Sequence, residues 1–129
     1  MTAQSILRML QEEIHSVVFA TLDEHGLPQT CVIDLMLWDE GGLYFLTARG
    51  KSFYDRLTAR PFAALTGMKG TDTFSTAAVS LRGAVRSIGT RRLEEIFAKN
   101  PYMARIYPTE QSRQALEVFQ LYRGEGEYF

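Results

Sequence analysis

The strongest chemical signal in the chain is the run Thr47-Ala48-Arg49-Gly50-Lys51-Ser52, which leads from a β-like stretch into a helix-like one. A helix start carries unpaired backbone N–H groups and a partial positive charge, so it favours an anion. Lys51 adds a full charge there, Arg49 lies beside it, and the hydroxyls of Thr47 and Ser52 can donate. Two cations and two hydroxyls around free amides suit a phosphate monoester. The spacing also admits a plainer reading. Ser52 with Asp55 three residues on fits a capping box, with Arg49 and Lys51 simply solvated.

The other chemistry-bearing residues mostly exclude. No glycine-rich phosphate loop of the Walker or dinucleotide type occurs. The two histidines, His15 and His25, give no hint of a Ser-His-Asp triad, and His25 falls in a turn-like run. Glu94, Glu95, Glu125 and Glu127 read as solvated helix and tail residues. Cys31 is the single cysteine, so neither an intramolecular disulfide nor a cysteine metal cage can form within the chain. In a strand it reads as a small, half-buried residue rather than a reactive thiol. No residue stands out as a catalytic acid or base, and no metal site is expected.

With 129 residues, 46% of them hydrophobic and a net charge of -1, the chain has the composition of one ordinary globular domain spanning residues 1–129. That balance gives no case for a nucleic-acid or membrane-surface partner. The first residues lack the apolar core of a signal peptide, and no stretch approaches the ~18 apolar residues of a membrane span. A soluble, cytoplasmic protein is expected.

The elements that must hold the phosphate-like corner are mostly strands. Ile6, Leu7, Leu10 and Ile14 recur at helical spacing and predict an opening amphipathic helix. Residues 17–22 form a strand, Asp23-Glu24-His25-Gly26 a turn, and residues 29–38 a long second strand, making a hairpin. A second turn at residues 39–42 leads to a third strand over 43–47. A helix over 52–60 ends before Pro61, followed by strands over 62–68 and 77–88, with a polar, mobile loop at 69–76 between them. Gly83 suggests a bulge or a bend in the fifth strand. Thr90 is the expected cap of a helix carrying Leu93, Ile96 and Phe97, which Asn100-Pro101 stops. Short helical turns follow around Met103–Tyr107 and near Ser112, and residues 118–122 form a sixth strand. Six strands with tight turns predict an antiparallel sheet curled into a mainly β barrel with flanking helices.

Residues 19–65 carry a longer ordered pattern. A strand ends in Ala20-Thr21, then come a D-x-x-G-x-P turn, a long strand, a turn, and the strand Tyr44-Phe45-Leu46-Thr47. A basic residue, a helix ending in L-x-x-x-P and another strand complete it, with Ser80-Leu81-Arg82-Gly83-Ala84-Val85-Arg86 further on. This series resembles the pyridoxamine 5′-phosphate oxidase-like, FMN-binding split β-barrel superfamily, a Greek-key type of barrel. NPYMARIYP and the closing LYRGEGEYF look like a smaller uncharacterised subgroup of it. The resemblance implies a homodimer with FMN at the interface. Cys31, Val32, Ile33 and Asp34 would line the flavin through mainly backbone contacts. Leu46 and Thr47 would meet the ribityl-phosphate, while Lys51 and Ser52 would hold the phosphate. The oxidases of this family that act on pyridoxamine phosphate carry arginine at the place of Cys31 and lysine at that of Met36, and use a C-terminal histidine segment that this sequence lacks. That substrate is therefore disfavoured. The implied activity is flavin-dependent redox chemistry on an unidentified substrate. The alternatives are a non-catalytic flavin- or haem-binding module, for which only His15 and His25 offer imidazole ligands, or a structural dimer without cofactor.

Overall fold

The computed structural model describes residues 2–70 and 75–128; part of the polar loop expected at 69–76 lies outside the described residues. Six strands form: β1 (Ser16–Leu22), β2 (Pro28–Asp39), β3 (Gly42–Ala48), β4 (Phe62–Lys69), β5 (Ala77–Gly89) and β6 (Leu116–Tyr128). All pairings are antiparallel, and they close a barrel in the order β1-β2-β3-β6-β5-β4. Two meanders, 1-2-3 and 6-5-4, are thus joined at both edges, closing the mainly β antiparallel barrel that the turn series predicts. The short helices are α1 (Ala3–Arg8), α2 (Ser52–Ala59), α3 (Leu93–Lys99), α4 (Met103–Ile106) and α5 (Glu110–Arg113).

Alternation along the strands builds the barrel core. Phe19, Phe45, Phe53 and Phe119 are all buried in it, with Phe19 and Phe45 edge-on at 4.7 Å and Phe45 stacked on Phe119 at 5.9 Å. Such aromatic pairs add to the ~25 cal/mol per Å² of apolar area they bury. A second core lies between the outer face of the sheet and the helices α3 and α4. It joins Met36, Leu37, Tyr44, Leu46 and Val118 to Ile96 and Met103.

Several local expectations give way to tertiary structure. The opening helix continues as a π-helical turn over Met9–Ile14, in which the N–H of His15 donates to the carbonyl of Leu10, and His15 itself has φ 69°. Strict alternation would put Leu37 beside Ile33 and Leu35, and Trp38 beside Val32 and Met36. Instead the β2–β3 register shifts between Leu35 and Leu37, so Leu37 joins Met36 in the outer core and Trp38 packs against the barrel core. Ser52 and Asp55 form no capping box; Lys51 occupies the N-cap position of α2 and makes no side-chain cap bond. Thr90 does not cap α3, whose N-cap is Arg92 at φ 68°. Gly83 pairs with Gly124 at the closest approach of β5 to β6, where a Cβ would stand 1.7 Å from the carbonyl of Arg123. The register shifts immediately beyond, between Ala84 and Val85. Strand β6 runs past the expected residue 122, because residues 123–128 pair with β5 despite two glycines and a run of charge.

Candidate functional site: a groove where two strands part

Strands β2 and β3 pair only over residues 35–39 and 42–45. Beyond that, residues 46–48 pair with β6 alone and residues 28–34 with β1 alone, so the strands diverge. A groove of about 390 Å³ opens in the gap. Cys31, Val32, Ile33, Asp34 and Met36 of β2 form one wall, and Leu46 and Thr47 of β3 another. Lys51 and Phe53 close it at the start of α2, and Met103, Ile106, Tyr107 and Leu116 cover it. The groove thus brings together the residues singled out in the sequence, except Ser52, which stands exposed just beside Lys51 as the first residue of α2.

Backbone geometry explains why a ligand would find partners there. The N–H of Leu35 donates to the carbonyl of His15 at 2.7 Å. Antiparallel alternation then assigns the backbone groups of Ile33 and Cys31 to β1 and turns those of Val32 and Asp34 toward the gap. At Met36 the gap is bridged by a side chain: the buried amide of Asn100 donates to the carbonyl of Met36 at 3.0 Å and to that of Ile96 at 2.9 Å. Asn100 therefore fastens the α3–α4 corner, and the apolar cover of the groove, to β2.

The cationic corner is simpler than its sequence suggests. Arg49 turns away from Lys51: its guanidinium donates to the carbonyl of Gln114 at 2.5 Å and reaches Glu117 at 3.4 Å. Lys51 alone remains as a cation on the groove, with no ion-pair partner among the described residues. Thr47 is buried, and neither its hydroxyl nor that of Ser52 has a hydrogen-bond partner among the described residues.

The carboxylate of Asp34 sits in a different setting. Ser16 Oγ donates to its Oδ1 at 2.6 Å and Tyr102 OH to its Oδ2 at 3.0 Å. His15 Nε2 lies 2.8 Å from Tyr102 OH and 3.5 Å from Asp34 Oδ2. Burial, with help from the Asp34 contact, pushes the Tyr102 phenol well above the ordinary tyrosine range, so it stays a donor. Burial also pushes the Cys31 thiol up, against the opposing Arg56 guanidinium, which leaves it a poor nucleophile. Neither His15 nor His25 lines the groove; His25 lies in the β1–β2 turn beside Glu24.

Asn100, Tyr102, Met103, Ile106 and Tyr107 reach the site from outside the strand pattern that marked the rest. The unusual run NPYMARIYP is the one trace of them in the sequence. Among the other depressions, two of about 450 and 790 Å³ lie over the outer face of β1, β4, β5 and β6 and the start of β2. They are lined largely by small and apolar residues; of their charged groups, Arg82 and Glu125 pair with each other at 3.4 Å, while Glu127 lines the first and Arg123 the second. That is the character of a packing surface rather than of a chemical site.

The fold has clear counterparts. A protein of unknown function from Agrobacterium tumefaciens superposes with a TM-score of 0.79 at 16% identity, covering 98% of this chain and 56% of that one. HutZ, the haem storage protein from Vibrio cholerae, gives 0.66 at 15% identity, covering 100% and 94%. An F420 reductase gives 0.71 at 17% identity, covering 93% and 94%. At such identities the likeness shows the fold alone. No functionally curated protein matches the chain in sequence. The sequence profile described as pyridoxamine 5′-phosphate oxidase matches residues 4–127, so the chain belongs to the pyridoxamine 5′-phosphate oxidase family of split barrels.

Proposed function

We propose that the chain is an FMN-binding flavoprotein that works as an oxidoreductase on a substrate other than pyridoxamine phosphate. The observation that carries this reading is the groove itself, an apolar slot with open backbone groups along one wall and an unpaired lysine at a helix start. The donor set fits FMN. Lys51, Ser52 and Thr47 would hold the phosphate, and the backbone groups of Val32 and Asp34 would meet polar edges of the ring. Met103, Ile106 and Leu46 would exclude water from its faces. When bound, a flavin supplies electron transfer, and the protein tunes it through hydrogen bonds and nearby charge.

The same reading includes a homodimer. Val18, Val32 and Thr66 form one outward row by register, and Phe62 and Met68 extend it along β4. Val32, Phe62 and Met68 are 67%, 64% and 67% exposed, a concentration of apolar surface that a second copy would cover. Val32 belongs both to this face and to the groove, which would set the cofactor beside the interface.

Haem binding, named for two structural neighbours, is the competing outcome. It has less support, because no imidazole lines the groove among the described residues. The visible spectrum of freshly purified protein separates the readings. Two flavin bands, released as FMN on denaturation, are expected. A Soret band, or failure to bind added FMN, would overturn the proposal.

A further inference from the structure

The groove carries one cation and one carboxylate among its described lining residues, Lys51 and Asp34, and they form no ion pair with each other. Each is therefore available to a ligand. Lys51 has a role in holding a phosphate; the side chain of Asp34 has none in the reading above, which uses only its backbone.

We propose that Asp34 is a specificity-determining residue, selecting as the molecule handled beside the flavin an organic cation or strong hydrogen-bond donor and rejecting a carboxylate. The carboxylate is aligned as an anion. Ser16 from β1 donates to one oxygen and Tyr102, just before α4, to the other, which fixes its plane and leaves further lone pairs for a ligand. Because the Tyr102 hydroxyl gives its proton to Asp34, it accepts from His15 Nε2–H, which fixes the imidazole tautomer and completes a chain of donors aimed at Asp34. His15 has a positive φ, 69°, at the end of a π-helical turn, a conformation that is strained in a non-glycine residue and concentrates at functional positions. No Lys or Arg lies within ion-pair distance of Asp34 among the described residues, and Glu12 and Glu13 of the π-helical turn are engaged elsewhere, by Trp38 and Lys69. A fixed carboxylate with spare acceptor capacity, whose one basic neighbour among the described residues is the His15 imidazole at 3.5 Å, discriminates by attracting a positive or donating group and repelling a negative one.

This inference rests on the flavin reading for the ring, and its test separates the two. Benzylamine and benzoate, similar in size and opposite in charge at neutral pH, are titrated into wild type, Asp34→Asn and Tyr102→Phe. Binding is followed by perturbation of the bound FMN spectrum and, with and without FMN, by amide NMR shifts around residue 34. Benzylamine is expected to bind wild type at least about tenfold more tightly than benzoate. Asp34→Asn should abolish that preference, and Tyr102→Phe should narrow it, since charge remains but alignment is lost. Equal binding of the two probes, a preference surviving in Asp34→Asn, or no saturable shift at residue 34 would each overturn the assignment. Loss of FMN binding with the NMR preference intact would sink the flavin reading and leave this one standing.

Discussion

Lys51 and Arg49 are neighbours in sequence with opposite fates. Arg49 is bound to Gln114 and Glu117, whereas Lys51 lines the groove without a partner. Lys51→Ala should therefore weaken FMN binding by roughly tenfold to a hundredfold, the worth of one charge-assisted contact. Riboflavin, lacking the phosphate, should be nearly indifferent to the change, and unliganded stability should hardly move. Arg49→Ala should affect FMN less, since its side chain serves β6 and the end of α5. Fluorescence titration of both flavins decides the matter, and equal losses for the two would remove the phosphate assignment. At this scale the sequence was legible where residue type alone carries meaning, as with a lysine and hydroxyls at a helix start. Asp34 was reached only through the resemblance, as a backbone contact; the partner of its side chain, Tyr102, stands 68 residues away and reaches it only through the fold.

The elements that mattered most are a hairpin that opens and a corner that crosses it. The hairpin of β1 and β2 could be foreseen, because Asp23 writes its turn locally: its carboxylate accepts from the N–H groups of His25 and Leu27, each at 2.9 Å. The register shift after Leu35 leaves no comparable mark, since the sequence stays apolar through it while the faces exchange. The α3–α4 corner depends on Asn100, which reads locally as nothing more than a helix stop before Pro101. Asn100→Ala leaves the carbonyl of Met36 without its donor inside the outer core and should cost about 1–3 kcal/mol in urea unfolding. FMN affinity should fall with it, because Met103 and Ile106 follow on the loosened corner. An unchanged unfolding midpoint would mean the corner is held by packing alone.

At the scale of the whole molecule, the barrel was legible because six alternating strands with short turns leave few other closed solutions. The outer face was less so, since a strand apolar on both sides says that cover is needed without saying what supplies it. Met36 and Leu37 are covered by α3 and α4, but Val32, Phe62 and Met68 are not. Light scattering at micromolar concentration should accordingly give twice the chain mass of 14.6 kDa. A monomer would count directly against a cofactor site shared by two copies. Among the described residues no helix is long and apolar enough to cross a membrane.

The parting of β2 from β3 also has a kinetic signature. Within one stretch of β2, the amides of Cys31 and Ile33 are assigned to β1 while those of Val32 and Asp34 face the gap. Deuterium uptake should therefore alternate along residues 31–34, slow then fast, in the protein without ligand, because exchange reports whether each amide has a partner to break. FMN seated in the groove should flatten the alternation by slowing Val32 and Asp34 selectively. The barrel would then behave as a sheet with one missing rung that its ligand replaces. Uniform protection of all four amides before any ligand is added would show that the rung was never missing.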